Sequence, residues 1–388
     1  MSTESTSGES QPPEKEEQTV FQWAAKALET HAKGFQYSDK TTSFDCGVAH
    51  GLEDFTRATT QTSMGEEHRT SAVVGFIAAH LSWYNLLAEM SKAPRALNCQ
   101  WGSFKKSEET LNGSDFGVAI EIGPVDGREG RFYNLSFFQA KNGSTTKRPE
   151  SDAEDREGFD INQPHTDYAK TPREADERLA AWLGIDNQST PWESWLEVPS
   201  RMMHSPDIKQ NHQIVKLAVT NAYLTQLNNK SLPPAHQDEQ GRTSAVEPSY
   251  VHYVIWRNYE RPARIVSLNA IKSHLAKREL KDLTIASGIK DPTLHFDPKR
   301  ATKAFGDFLR SGQNANAVGW ALIEKQDVIE MVKNWPTIGT RWMIVETRSG
   351  GLANELGLAS QINRDPYRGE PVSIPSPEAT PTNTPGMK

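Results

Sequence analysis

Asp115, Gln139 and Lys141 are the residues of this chain whose types and spacing could do chemistry together. Gln139 and Lys141 lie two apart in the aromatic-rich run RFYNLSFFQAK, which reads as a strand. Both therefore point to the same side, about 7 Å apart. Asp115 falls near the start of GSDFGVAIEI, a second strand pattern, and the intervening GPVDGREG is turn chemistry. A tight hairpin of this kind can place Asp115 beside Gln139 and Lys141. In the first strand Phe116, Val118, Ile120 and Ile122 share one face, while Asp115, Gly117, Ala119 and Glu121 share the other. That second face starts with a carboxylate and continues with residues small enough for a cleft or ligand to approach.

Such a trio suits metal-assisted phosphodiester hydrolysis. Asp115 offers a hard anionic oxygen to Mg²⁺ or Mn²⁺, an ion that uses one or two carboxylates and leaves room for substrate phosphate. Gln139 offers a neutral oxygen, and the Ala140 carbonyl could add another. Lys141 would orient the attacking water and offset charge on the transition state. A further carboxylate completes the site, with Glu109 (just upstream of Asp115), Glu66 and Glu67 as candidates. The pattern alone also admits a phosphorylated small molecule as ligand, or no catalytic role at all.

The runs EETLNGSDF (108–116) and FFQAK (137–141) resemble the Glu … Gly-Ala-Asp-Phe … Gln-Ala-Lys signature of the PD-(D/E)xK nucleases, in its Gln variant. EEHRTS (66–71) is similar to the helix start found upstream in such domains, and HQIVKL (212–217) to the helix that follows the Lys strand. The resemblance covers roughly residues 65–268. It implies a restriction-endonuclease-like α/β fold, Mg-dependent endonuclease activity, and double-stranded DNA as partner. It also implies a bacterial restriction or phage-defence setting, in which an operon protein or a second copy of the chain could be a further partner. The site would comprise Glu67, Glu109, Asp115, Gln139 and Lys141, with Asp115 and Gln139 on the metal. Gln213 and Lys216, at helical spacing, would face the site or the phosphate backbone. Ser114 stands where the family has Ala. The rival reading is a catalytically silent nuclease fold that binds DNA or protein as a scaffold.

The elements that must position these residues follow from periodicity. An amphipathic helix is expected over 20–33 and a long, apolar, buried helix over about 65–91, with Glu66 and Glu67 suited to its first turn. Helices are expected at 173–184, 209–228, 269–280, 301–311 and 326–334. Strands are expected at 250–256, 264–268, 318–323 and 341–346. This order predicts a mixed central sheet flanked by helices, in a domain spanning 19–281 with a C-terminal α+β extension over 282–362. Residues 1–18 and the Pro-rich 363–388 read as disordered tails.

Net charge is −7 over 388 residues. The acidity is concentrated in residues 1–18 and in an insertion at 150–177. Against these stand Arg257, Arg261, Arg264, Lys272, Lys277, Arg278 and Lys281. Arg261 and Arg264 are therefore candidates for phosphate contacts. No uninterrupted apolar run reaches the roughly 18–20 residues of a membrane span. The N-terminal residues lack a secretory pattern, and Cys46 and Cys99 cannot build a disulfide scaffold, so a cytoplasmic setting is expected.

Overall fold

The computed structural model describes residues 18–59, 64–93, 97–103, 114–123, 125, 129–143, 158–160, 213–231, 248–257, 261–270, 293–295, 302–334, 341–347 and 350–357. The expected tails, the helix at 173–184 and nearly all of the acidic insertion lie outside these residues. So do Glu109, Lys272, Lys277, Arg278 and Lys281.

An open mixed sheet forms the centre. Its strands are β1 (Asn98–Ser103), β2 (Phe116–Ile122), β3 (Phe132–Asn142), β5 (Val251–Trp256), β6 (Arg264–Ser267), β8 (Thr302–Ala304), β9 (Ala321–Glu324) and β10 (Arg341–Glu346). A separate pair joins β4 (Gly158–Asp160) to β7 (Thr293–His295). The spatial order is β1-β10-β2-β3-β5-β6-β8, with β9 also on β3. β2 and β3 form the expected antiparallel hairpin, in the register Phe116↔Phe138 to Ile122↔Phe132. β3 is long enough to hold two neighbours on one edge. Its first half pairs antiparallel with β9, and its second half pairs parallel with β5.

The segment expected as a C-terminal extension is part of this sheet. β10 inserts between β1 and β2, parallel to β2 and antiparallel to β1, while β8 and β9 occupy other edges. Pairing over such sequence distances has no local signature, so the sequence pattern gives the strands but not their neighbours.

Both faces of the sheet are covered, as a mixed sheet with parallel pairs requires. One face carries Phe116, Val118, Ile120, Phe138, Ala140, Met343 and Val345. These pack on α2 (Ser43–Thr59), α3 (Glu66–Met90) and α5 (Phe305–Ser311), through Phe44, Val48, Val73, Ile77, Phe305 and Phe308. The other face carries Ala119, Leu135, Phe137, Tyr253, Trp342 and Ile344. It meets Leu217 and Leu224 of α4 (Gln213–Ser231), Val328 of α6 (Lys325–Asn334) and Leu352 of α7 (Leu352–Glu355). Each Val, Leu, Ile, Phe or Met among these, fully buried, contributes about 1.5–3 kcal/mol.

α1 (Val20–His31) begins with a capping box in which the Thr19 hydroxyl accepts from the Gln22 N–H and the Gln22 side chain accepts from the Thr19 N–H. α2 is amphipathic, with Phe44, Val48 and Phe55 on its buried side. Gly47 and Gly51 lower its helix propensity, yet both have a packing role. A Cβ on either would lie 2.7 Å from the Cα of Leu81 or Ile77, so the missing side chains let α3 approach closely. α3 is long and apolar enough to cross a membrane by length and composition. Here it is packed between α1, α2 and the sheet, with Val73, Val74, Ile77, Leu81 and Tyr84 buried.

Candidate active site

Strand direction brings the chemistry to one end of the sheet. β2 starts where β3 finishes, so Asp115, just ahead of β2, lies beside Gln139 near the end of β3. The Asp115 N–H donates to the Phe138 carbonyl at 2.8 Å, fixing the backbone. Asp115 Oδ2 then accepts from the Ala140 N–H at 2.7 Å and from Gln139 Nε2 at 2.5 Å. Among the described residues both donors reach Oδ2, which leaves Oδ1 as the oxygen able to serve a cation or a water. Lys141 Nζ is 3.9 Å from Glu66 Oε1, an ion pair without a direct hydrogen bond. Glu66 is the first residue of α3, and its carboxylate also accepts from the Asn142 N–H. Helix start and strand end are thereby locked together.

Of the two candidate carboxylates among the described residues, Glu66 is the one that meets Lys141. Glu67 is exposed on the next position of the helix. The reason is angular: successive helical residues diverge by about 100°, so adjacent glutamates cannot both face the same strand end.

The Asp115 carboxyl stands at about 7: burial raises it most, the Ala140 N–H lowers it, Glu66 raises it, and Lys141 and Arg341 lower it. Burial likewise raises Glu66, with Lys141 and the Asn142 N–H opposing and Glu67 adding to the rise. Two carboxylates that each resist ionisation, with a buried ammonium between strand and helix, form a site of the kind that enzymes tune.

Two expectations change. Gly117 and Ala119 do not open a cleft: all of β2 is buried, and a Cβ on Gly117 would meet the Phe137 ring at 3.0 Å and the Trp342 ring at 3.3 Å. The small residues make room for aromatic side chains of the second core. Glu121, on the same face, is held by Arg131 and by the N–H and hydroxyl of Thr347. Gln139 presents its nitrogen, rather than its oxygen, to Asp115, and its other N–H donates to the Ala140 carbonyl at 3.1 Å. Both candidate neutral ligands are thus engaged with each other. The cause is the acceptor character of Asp115, which draws the amide N–H₂ toward it.

Arg341 is a site residue that sequence reasoning missed. It opens β10 opposite Phe116, its charge acts on Asp115, and its Nη1 donates to Ser71 of α3 at 3.0 Å. An arginine at a strand start gives no local signal, and only the insertion of β10 beside β2 brings it here.

Arg264 sits opposite Ile255, which sits opposite Lys141, so Arg264 is in the same register row two strands away, roughly 10 Å. Arg261 lies in the connection just before β6 at this same end of the sheet. Gln213 and Lys216 are on the first turn of α4, and their side chains lie outside the described residues.

A search of protein-family models, of curated proteins and of solved structures finds no match to this chain.

Proposed function

We propose that the chain is a metal-dependent nuclease that hydrolyses phosphodiester bonds in DNA, built on a restriction-endonuclease-like version of the mixed α/β sheet. The observation that carries this reading is the convergence of Asp115, Gln139, Lys141 and Glu66 at one strand end. The donor set fits a hard divalent cation: two carboxylates, with Asp115 Oδ1 accepting no N–H among the described residues. Asp115 and Glu66 would hold Mg²⁺ or Mn²⁺, which when bound supplies Lewis-acid polarisation of the phosphate and a more acidic water.

The chain's own groups have distinct tasks. Gln139 and the Ala140 N–H hold Asp115 in one rotamer. Glu66 holds the Lys141 ammonium over the strand end, where it can orient a water and offset charge gathering on the phosphoryl oxygens. Arg341 adds a second cation on the other side of Asp115. Arg261 and Arg264 provide positive charge at the same end of the sheet for the nucleic-acid backbone. A bacterial defence role, a cytoplasmic setting and an operon partner belong to this same proposal through the sequence resemblance.

One observation favours a second reading, a nuclease fold that binds DNA without cutting it. The Gln139 amide is locked onto Asp115 through N–H, which occupies the residue that the resemblance assigns to the metal. Incubation of the purified chain with plasmid in Mg²⁺ and in excess EDTA separates the two. Nicking or linearisation in Mg²⁺ that EDTA stops is the expected result. DNA retained in gel shift but never cut supports the silent reading, and cutting undiminished by EDTA contradicts the metal-dependent mechanism.

A further inference from the structure

Away from the Asp115 cleft, the three N-terminal helices bring three imidazoles and a carboxylate together. His31 ends α1, His50 and Asp54 lie one turn apart on α2, and His80 lies on α3. His31 Nε2 is 3.0 Å from Asp54 Oδ1. His80 Nε2 is 3.0 Å from Asp54 Oδ2, and His50 Nε2 is 3.7 Å from the same oxygen. Donor atoms of His31, His50 and Asp54 all lie within 4.8 Å of one another. Four ligands at about 2.0–2.1 Å from one tetrahedral ion stand roughly 3.3 Å apart, so His31, His50 and Asp54 lie near such spacings and His80 joins them through Asp54.

The outer nitrogens explain why the cluster is more than a set of ion pairs. His80 Nδ1 lies 2.8 Å from the Phe76 carbonyl, which only accepts, so Nδ1 carries the proton. His50 Nδ1 lies 3.2 Å from the Tyr84 hydroxyl. With both rings anchored through Nδ1, both Nε2 atoms face Asp54, the way outer hydrogen bonds orient metal-bound imidazoles. The His50 and His80 rings stand 4.1 Å apart, centroid to centroid, so both Nε2 atoms converge on the same carboxylate oxygen. A divalent cation there would meet imidazole nitrogens and a carboxylate together.

The helices hold this geometry through packing of their own. Gly47 and Gly51 on α2 bring its backbone against Leu81 and Ile77 of α3, on either side of His80. The His80 and His31 side chains are 19% and 33% exposed, so an ion can reach the cage from solvent. His80 is fourteen residues from Glu66 along α3, about 21 Å of helix, which makes this a separate site.

We propose that His31, His50, Asp54 and His80 form a four-coordinate Zn²⁺ site that clamps α1 onto the α2–α3 pair. Three imidazoles and one carboxylate match the nitrogen and oxygen preference of Zn²⁺, and four protein ligands leave no open position, as in structural rather than catalytic zinc sites.

The test is metal counting on the full chain, stripped with chelator and dialysed against micromolar Zn²⁺, followed by Co²⁺ substitution. One Zn²⁺ per chain is expected, retained in Asp115→Asn and lost in Asp54→Asn and His80→Gln, with wild-type far-UV circular dichroism in all. Co²⁺ should give the intense visible bands of a tetrahedral ion. The Co²⁺ spectrum of the wild-type chain decides the matter even where a variant fails to fold. A folded wild-type chain that binds no stoichiometric metal, a weak octahedral Co²⁺ spectrum, or uptake unchanged in both cage variants would each overturn the site. So would uptake that vanishes in Asp115→Asn instead.

Discussion

Burial lifts the Asp115 carboxyl to about 7, so near neutral pH this group is divided between its two protonation states. Its folded pKa lies above the ordinary carboxylate value of 3.8, so the stability it contributes is complete below that value. That contribution is lost as pH rises through about 7. In EDTA, wild type should therefore lose stability from pH 4 to pH 8 relative to Asp115→Asn. At one pKa unit per 1.36 kcal/mol, and with the carboxyl partly exposed, the difference should reach on the order of 2 kcal/mol. Denaturant melts at the two pH values measure it; parallel pH profiles for the two proteins would mean that Asp115 titrates normally. At this scale the sequence was informative about identity and less so about orientation. The spacing of Asp115, Gln139 and Lys141 pointed to a shared strand end. It could not show that Gln139 turns its nitrogen to Asp115, because side-chain rotation about a terminal amide leaves no trace in sequence. Nor could it choose Glu66 over Glu67, which depends on how the first turn of α3 meets Asn142.

At the scale of elements, the legible parts were those whose pattern is local. The α3 helix follows from an apolar run of helical length, and the β2–β3 hairpin and β10 from strand patterns bounded by turn residues. The helical apolar pattern of α2, through Phe44, Val48 and Phe55, is diluted by Gly47 and Gly51, the residues that allow close contact with α3. Likewise Gly117 and Ala119 read as an opening when they in fact make room for Phe137 and Trp342. Small residues signal close approach without saying what approaches. This account predicts opposite signs for two equivalent substitutions. Gly51→Ala pushes a methyl against the Ile77 backbone and should cost about 1–3 kcal/mol. Gly75→Ala, in α3 with nothing within 4 Å of the new methyl, should gain about 0.5–1 kcal/mol. Thermal or urea melts of the two variants check this, and a neutral Gly51→Ala would show that α2 and α3 are not in contact there.

Over the whole molecule, the sheet gathers charge that the sequence scatters. Asp115, Lys141, Arg264 and Arg341 come from four strands and share one end of the sheet only because β10 inserts beside β2 and β5 runs parallel to β3. The net charge of −7 therefore says little about the local field at the site. Charge reversal of Arg261 and Arg264 together should weaken DNA binding at least tenfold regardless of sequence and flatten its salt dependence. Unchanged affinity in a salt titration would place the DNA surface elsewhere. The central claim rests on Lys141, buried to 9% exposure at the end of β3 and paired with Glu66. The most direct test is Mg²⁺-dependent plasmid cleavage by Lys141→Ala beside wild type, with circular dichroism confirming that both are folded. A folded Lys141→Ala protein with cleavage reduced by about two to three orders of magnitude is the predicted result, as for other preorganised electrostatic groups. A folded variant that cuts at the wild-type rate would contradict the site and the function proposed from it.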